Sequence, residues 1–150
     1  MPKQRITGAG HALIPAEPTV VWKALLDPKT LAAIIPGARD VERLGPMHFR
    51  ASLSLGVGPF RADYAATLQL GGEEPSRFDL QGASSGRLGW GAGNGAVALR
   101  RRPPGHTIVE WSYEGSINGP VTLAGGPILG TATKFFVTRF FTALASRLAR

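Results

Sequence analysis

The feature that most restricts the fold is a period-two alternation of apolar and polar residues through the middle of the chain. In the clearest segment, Phe60, Tyr64 and Leu68 share one side, and Arg61 and Asp63 lie on the other. A β-strand points successive side chains to opposite faces, so this pattern predicts strands with one covered face and one wet face. The alternating segments are 49–57, 60–70, 77–82 and 107–117, separated by turn sequences rich in glycine and proline. We therefore predict an antiparallel meander.

Helical spacing flanks the meander on both sides. A first strand over 5–14 is followed by two short helical patterns within 15–37, which break at Asp27-Pro28 and end at Pro36-Gly37. The segment 128–149 has no breaker and places its large apolar residues on one broad helical face, which predicts a helix roughly 33 Å long. This order predicts an α+β fold. A curved antiparallel sheet of about six or seven strands would hold the long C-terminal helix in its concave face.

Glycine occupies every second position from 89 to 95, in the sequence GRLGWGAGNGAVAL over 86–99. A strand here would have one face without side chains and would leave volume beside Val97 and Leu99. A flexible or bulged segment explains the glycines equally well. A phosphate-binding loop does not, because strand-like residues and then Pro103-Pro104 follow where a dinucleotide-binding fingerprint needs a helix.

Composition narrows the class of protein. A length of 150 residues with 43% apolar and 18% charged residues is typical of one globular domain, and we assign 1–150 to a single domain. The sequence has no cysteine, and its three histidines are far apart, so we expect neither a disulfide nor a metal site. The start, MPKQRITGAG, has no apolar run, and no long apolar stretch follows. We therefore expect a cytoplasmic protein without a signal peptide or membrane span.

The net charge of +7 bears on the choice of partner. A basic protein suits nucleic acid, an anionic membrane surface or an acidic protein. Nucleic acid is disfavoured, because the arginines are dispersed and the aromatic residues fall on inward faces. The run Arg100–Arg102 precedes a turn and is interpreted as a solvated strand end. Phe135, on the polar side of the last helix, is a candidate contact for a partner or a membrane.

Three stretches carry a resemblance to a known family. They are PAEPTVVWKALLDPKTLAAIIPG (15–37), VGPFRADYAATLQL (57–70) and TLAGGPILGTATKFFVTRFFTALASRL (122–148). Together they resemble the carbon monoxide dehydrogenase CoxG family, within the START-like, or SRPBCC, superfamily. The chain departs from that family at Ala38, where a cysteine is common. Some members also continue past the last helix into a tail proposed as a membrane tether, whereas this sequence stops at Arg150.

The resemblance implies a helix-grip fold and a binding protein rather than a catalyst. Family members are encoded with molybdenum hydroxylases of the carbon monoxide dehydrogenase type, and they are thought to help assemble such an enzyme or recruit it to the membrane. A quinone-carrying role is also attached to the family. The resemblance therefore implies a hydrophobic ligand, a bound quinone of the menaquinone or ubiquinone type as cofactor, and a location at the inner face of the membrane.

We expect the inward face of the meander and the facing side of the last helix to enclose a ligand cavity. The alternating glycines leave room there, and a few polar tips on an apolar surface suit the carbonyl oxygens of a quinone. An ordinary packed core is the alternative. The candidate ligand-binding residues are Leu53, Leu55, Tyr64, Phe78, Leu80, Gly91, Gly93, Gly95, Val97, Trp111, Tyr113, Leu129, Thr133, Phe136 and Phe140. By resemblance alone, Ile34, Ile35 and Pro36 are candidate portal residues, and Trp22 is interpreted as an anchor between the first helix and the sheet.

No catalytic residue is predicted. By alternation Asp63, Asp79, Glu110 and Glu114 fall on the wet face, and no serine nucleophile motif or paired histidine is present. The face of His11 is not fixed by its weak strand. Two alternatives to a carrier stay open. One is an assembly factor that acts by protein contact alone, and the other is a START-like cyclase or hydrolase.

Overall fold

A computed structural model describes residues 3–150 as one long sheet with three helices. The chain begins with β1 (Gln4–Ile14), α1 (Pro18–Ala24) and α2 (Pro28–Ile34). The strands β2 (Ala38–Gly45), β3 (His48–Val57), β4 (Phe60–Glu73), β5 (Arg77–Gly86), β6 (Gly89–Arg102) and β7 (His106–Asn118) follow. A short 3₁₀ helix over Pro120–Ala124 leads into α3 (Gly126–Leu148).

The seven strands form a single antiparallel sheet in the order β1-β7-β6-β5-β4-β3-β2. The predicted α+β architecture is confirmed, including the number of strands and the long C-terminal helix. Strand β2 was not predicted, because ARDVERLG places only Val41 and Leu44 among polar residues. It is an edge strand with shifts in register near both ends, so it needs no regular apolar face.

The glycine-rich segment is a continuous strand inside the sheet. Over its whole length β6 pairs with β5 on one side and β7 on the other, without a bulge. Gly93, for example, faces Gly82 of β5 and Gly115 of β7. The structure therefore excludes both the flexible loop and the bulged edge.

The two short helices close one end of the sheet over the main core. Trp22 of α1 is 5% exposed and stacks on Phe78 of β5, with 3.9 Å between ring centroids, so it anchors α1 to the sheet as predicted. Asp27 caps α2 by accepting hydrogen bonds from the Lys29 N–H at 3.3 Å and the Thr30 hydroxyl at 2.9 Å. The cap and the stacked rings fix where the helical end of the molecule lies on the sheet.

Helix α3 packs along β1 and against α2. Its inward side carries Phe141 and Leu144 into the main core, and the Phe141 ring stacks on Trp111 with 4.2 Å between centroids. At its other end, Leu129 joins Ile6 and Val121 in a second, smaller apolar cluster. Within residues 3–150 no helix combines the length and the apolar character needed to cross a bilayer.

Candidate functional site

A cavity of about 480 Å³ lies between the concave face of the sheet and α3. Side chains from β3 to β7 line one side of it, and α3 lines the other. Most of the lining is apolar, and it includes Leu68, Leu70, Val137 and Phe141 besides the predicted residues. The volume falls within the roughly 300–1,000 Å³ typical of small-molecule sites.

Part of the cavity wall has no side chains. Gly82, Gly93 and Gly115 stand side by side on three neighbouring strands, and we call them the glycine row. Leu68 and Ile6 flank the row on the next strands out. All three glycines line the cavity, so its depth at this point is set by the main chain.

The row is also where the strands approach closely on their concave side. A Cβ atom on Gly93 would lie 2.6 Å from the carbonyl oxygen of Glu114, and one on Gly91 would lie 2.5 Å from that of Ser116. A Cβ atom on Gly82 would meet nothing nearer than 3.5 Å. Glycine is therefore sterically required at Gly91 and Gly93, whereas Gly82 leaves usable space.

A polar concavity of about 400 Å³ lies behind the row on the outer face of the sheet. Its lining includes Arg5, Gln81, Asn94 and Glu114 together with the backbone of the glycine row. One layer of peptide therefore separates the apolar cavity from this outer surface.

Two aromatic side chains of β7 replace the missing side chains of β1. Trp111 covers Gly10, where a Cβ atom would lie 2.5 Å from the indole ring, and Tyr113 covers Gly8 in the same way. Both aromatic residues line the cavity. The glycines of β1 thus let two large rings lie along the sheet instead of filling the space in front of it.

The polar groups of the cavity differ in what they can still bind. The Thr133 hydroxyl donates to the Leu129 carbonyl oxygen at 2.8 Å, so its proton is already used within α3. Among residues 3–150, no protein group hydrogen-bonds the Tyr113 hydroxyl, and burial raises the pKa of that phenol above 10.0. Tyr113 therefore stays protonated at neutral pH and can donate a hydrogen bond into the cavity.

The structure brings most of the predicted ligand-binding residues together around one space. The cavity is lined by Leu53, Phe78, Leu80, Gly91, Gly93, Gly95, Val97, Trp111, Tyr113, Thr133, Phe136 and Phe140, and by Ile35 of the predicted portal. Leu55, Tyr64, Leu129, Ile34 and Pro36 lie outside the lining.

These five residues lie outside the lining for local reasons. Leu129 is 2% exposed and belongs to the smaller apolar cluster, and Ile34 is 3% exposed within the main core. Leu55 packs against Gly37, with 3.0 Å between its Cδ2 atom and the site of a Cβ atom on that glycine. The Tyr64 ring lies against Gly86, and Pro36 follows the end of α2. Alternation predicted the face of these residues, but it could not give their position along the curved sheet.

Sequence reasoning missed Gly82, Gly115 and the paired role of Gly8 and Gly10. The signal for the last two was present, since they share the inward side of β1 with Ile6 and Ile14. Finding Gly82 and Gly115 needed the strand register, which alternation within one strand does not supply.

The titratable side chains lie mainly away from the cavity. His11, Asp63 and Asp79 are exposed residues on outward positions of their strands. Glu114 borders the cavity only at the glycine row, and its carboxylate faces outward, 3.8 Å from the Arg5 guanidinium. Residues 3–150 contain no group of three or more histidine, cysteine or acidic residues that could hold a metal ion.

Comparison with family models identifies the chain. The model for the carbon monoxide dehydrogenase protein CoxG matches residues 10–149. The chain belongs to the CoxG family. No curated protein sequence matches it.

Solved structures similar to this CoxG-family chain share its fold. A conserved protein from Geobacillus kaustophilus has a TM-score of 0.89 at 23% identity, and the match covers 96% of this chain and 95% of that one. The Zhui aromatase/cyclase from Streptomyces sp. R1128 has a TM-score of 0.75 at 14% identity over 98% and 95%. A START superfamily protein from Mycobacterium smegmatis has a TM-score of 0.72 at 11% identity over 95% and 97%. These likenesses establish a START-like fold.

Proposed function

We propose that this CoxG-family chain is a non-catalytic carrier of an apolar ligand that bears carbonyl oxygen, of the menaquinone or ubiquinone type. In this proposal it serves a molybdenum hydroxylase of the carbon monoxide dehydrogenase type, by delivering quinone or by recruiting the enzyme to the membrane. The observation that carries the proposal is the apolar cavity with the Tyr113 hydroxyl as a free donor. An apolar ring system with an acceptor oxygen matches that surface.

The character of the lining supports a carrier over a catalyst. General acid–base chemistry needs a titratable group within hydrogen-bond reach of the substrate. The carboxylate of Glu114, the acidic residue nearest the cavity, is paired with Arg5 on the other face of the sheet. The remaining polar groups bind and orient a ligand more readily than they transfer protons.

Menadione and its hydrocarbon skeleton, methylnaphthalene, test the role of the carbonyl. Both should raise the melting temperature, because a ligand that binds only the native state stabilises it. Replacing Tyr113→Phe should weaken menadione binding by about two- to tenfold, the usual net value of one hydrogen bond. Methylnaphthalene binding should stay unchanged. Affinities can be measured by titration calorimetry.

Tyr64→Phe is the matched control for this experiment. Tyr64 lies on the same face of the sheet and its pKa is also raised by burial, but it does not line the cavity. Its replacement should leave both affinities unchanged. A protein that gains no stability from menadione or short-chain ubiquinone, and that carries no lipid in native mass spectrometry, would contradict the carrier proposal. An assembly factor acting by protein contact would then be favoured.

A further inference from the structure

The charges of the molecule are unevenly distributed between its sheet and its long helix. Six ion pairs occur within residues 3–150, and none includes a residue of α3. They are Arg5–Glu114, Arg39–Asp63, Arg50–Glu42, Arg77–Asp79, Arg100–Glu110 and Arg101–Glu17. The sheet surface is therefore largely compensated, whereas α3 is not.

Helix α3 carries positive charge without any acidic residue. Its sequence, GPILGTATKFFVTRFFTALASRL, contains Lys134, Arg139 and Arg147, all of them exposed. At 100° per residue, Ile128, Thr131, Phe135, Arg139 and Thr142 share the side of the helix opposite the cavity. We call this set the outer face of α3.

The same region exposes the largest apolar surface of the described chain. Leu123, Ile128 and Phe135 are 70%, 55% and 61% exposed, which makes them the most exposed large apolar side chains of residues 3–150. The Arg139 guanidinium lies 5.6 Å from the centroid of the Phe135 ring. An exposed phenylalanine flanked by unpaired cations is typical of a helix that lies in a membrane interface.

We propose that the outer face of α3, together with Leu123, binds the surface of an anionic lipid bilayer. The helix would lie along the surface, with Ile128 and Phe135 among the acyl chains and Lys134 and Arg139 among the anionic headgroups. The proposal rests on the carrier function in one respect, since a ligand of lipid type must be exchanged with the phase that holds it. The inward side of the same helix lines the cavity through Thr133, Phe136 and Phe140.

Charge and spacing favour a bilayer over a protein as the occupant. The three exposed apolar side chains are separated along the chain and flanked by cations, which suits insertion between headgroups. A bilayer rich in anionic lipid offers negative charge at every position, so it complements a helix that has no acid of its own.

Sedimentation with lipid vesicles tests the proposal. The protein should bind vesicles of phosphatidylcholine with phosphatidylglycerol, and binding should weaken as salt is added. Lys134→Gln and Arg139→Gln should each reduce the partition coefficient about fivefold at low salt. Ile128→Ala with Phe135→Ala should reduce it about tenfold at every salt concentration. Equal binding of these variants and the original chain would overturn the proposal, as would the absence of vesicle binding.

Leu13→Ala with Arg102→Gln provides the matched control. Leu13 is 48% exposed and Arg102 forms no ion pair within residues 3–150, but both lie on the sheet. This variant removes one exposed apolar side chain and one cation, and it should bind vesicles like the original chain. A loss equal to that of the α3 variants would reduce the effect to net charge and overturn the assignment of the face.

A fluorescent probe gives a second readout that does not depend on loss of binding. The sequence contains no cysteine, so Thr131→Cys can be labelled alone with an environment-sensitive dye. Its emission should shift to the blue on anionic vesicles, whereas a dye at Ser85→Cys on the outer sheet should not respond. No shift at Thr131 would refute the proposed orientation, even if menadione still bound in the cavity.

Discussion

Glycine residues on the concave face of this sheet act in two opposed ways. At Gly8 and Gly10 the missing side chain is replaced by an aromatic ring of β7, so the packing there is complete. At Gly82, Gly93 and Gly115 nothing replaces it, and the empty space becomes part of the cavity. The difference depends on the cross-strand partner, because Tyr113 pairs with Gly8 whereas Gly93 pairs with another glycine.

Alanine substitution distinguishes a glycine that the backbone requires from one that it does not. Gly93→Ala would place a Cβ atom 2.6 Å from the Glu114 carbonyl oxygen and 3.1 Å from the Gly115 Cα atom. The strands must then move apart, which should lower the free energy of unfolding by about 1–3 kcal/mol. Urea denaturation would measure the change.

Gly130→Ala is the control for this prediction. A Cβ atom at Gly130 meets nothing within 4 Å, and alanine favours the helix by about 1 kcal/mol. This variant should therefore be more stable than the original chain. A Gly93→Ala protein of unchanged stability would contradict the close strand approach.

Among the elements, α2 shows how a seven-residue helix is held in place. Its first turn is fixed by Asp27, which accepts from the Thr30 hydroxyl and from the Lys29 N–H. The hydrogen bond from Thr30 is the main cause that lowers the pKa of the Asp27 carboxyl below 3.8. Because α2 also contributes Leu31 to the cavity wall, the cap positions part of the ligand site.

The Asp27 cap should stabilise the protein in a pH-dependent way. Asp27→Ala should lower the free energy of unfolding at neutral pH by about 1 kcal/mol. The folded-state pKa is lower than the unfolded value, so the contribution is complete above about pH 4 and is lost as the pH falls through the folded pKa. Thermal unfolding of both proteins between pH 7 and about pH 3 should show the difference shrinking.

Asp40→Ala supplies the comparison for that experiment. Asp40 is exposed on β2 and accepts no side-chain hydrogen bond or ion pair within residues 3–150. Its replacement should change stability little at any pH. If the two variants behaved alike, the capping role of Asp27 would be refuted.

At the level of the whole molecule, strand periodicity and turn residues were sufficient to predict the architecture. The faces of β3, β4, β5 and β7 followed directly from alternation, and the last helix from its spacing. The site was less accessible, because it depends on which rows of neighbouring strands coincide. Tyr64 and Tyr113 share the same face in the sequence pattern, yet Tyr113 lines the cavity and Tyr64 does not.

Filling the cavity separates a carrier from a factor that acts through its surface. Gly82→Phe should be accepted by the backbone, since a Cβ atom there lies 3.5 Å from the Thr67 oxygen and 3.8 Å from the Leu68 side chain. The ring would occupy the cavity and should abolish menadione binding while raising the melting temperature of the free protein. Gly82→Ala should reduce binding only slightly. Retained menadione affinity in Gly82→Phe would place the ligand elsewhere.

The glycine row also bears on how related chains can diverge. Its wall is main chain, so no substitution at Gly82, Gly93 or Gly115 can deepen the cavity. At Gly93 and Gly115 a side chain would collide with the neighbouring strand, and only Gly82 can accept one without displacing the backbone. The range of ligand sizes open to descendants of this sequence is thus bounded from above. A single position can narrow it by one side-chain volume at a time.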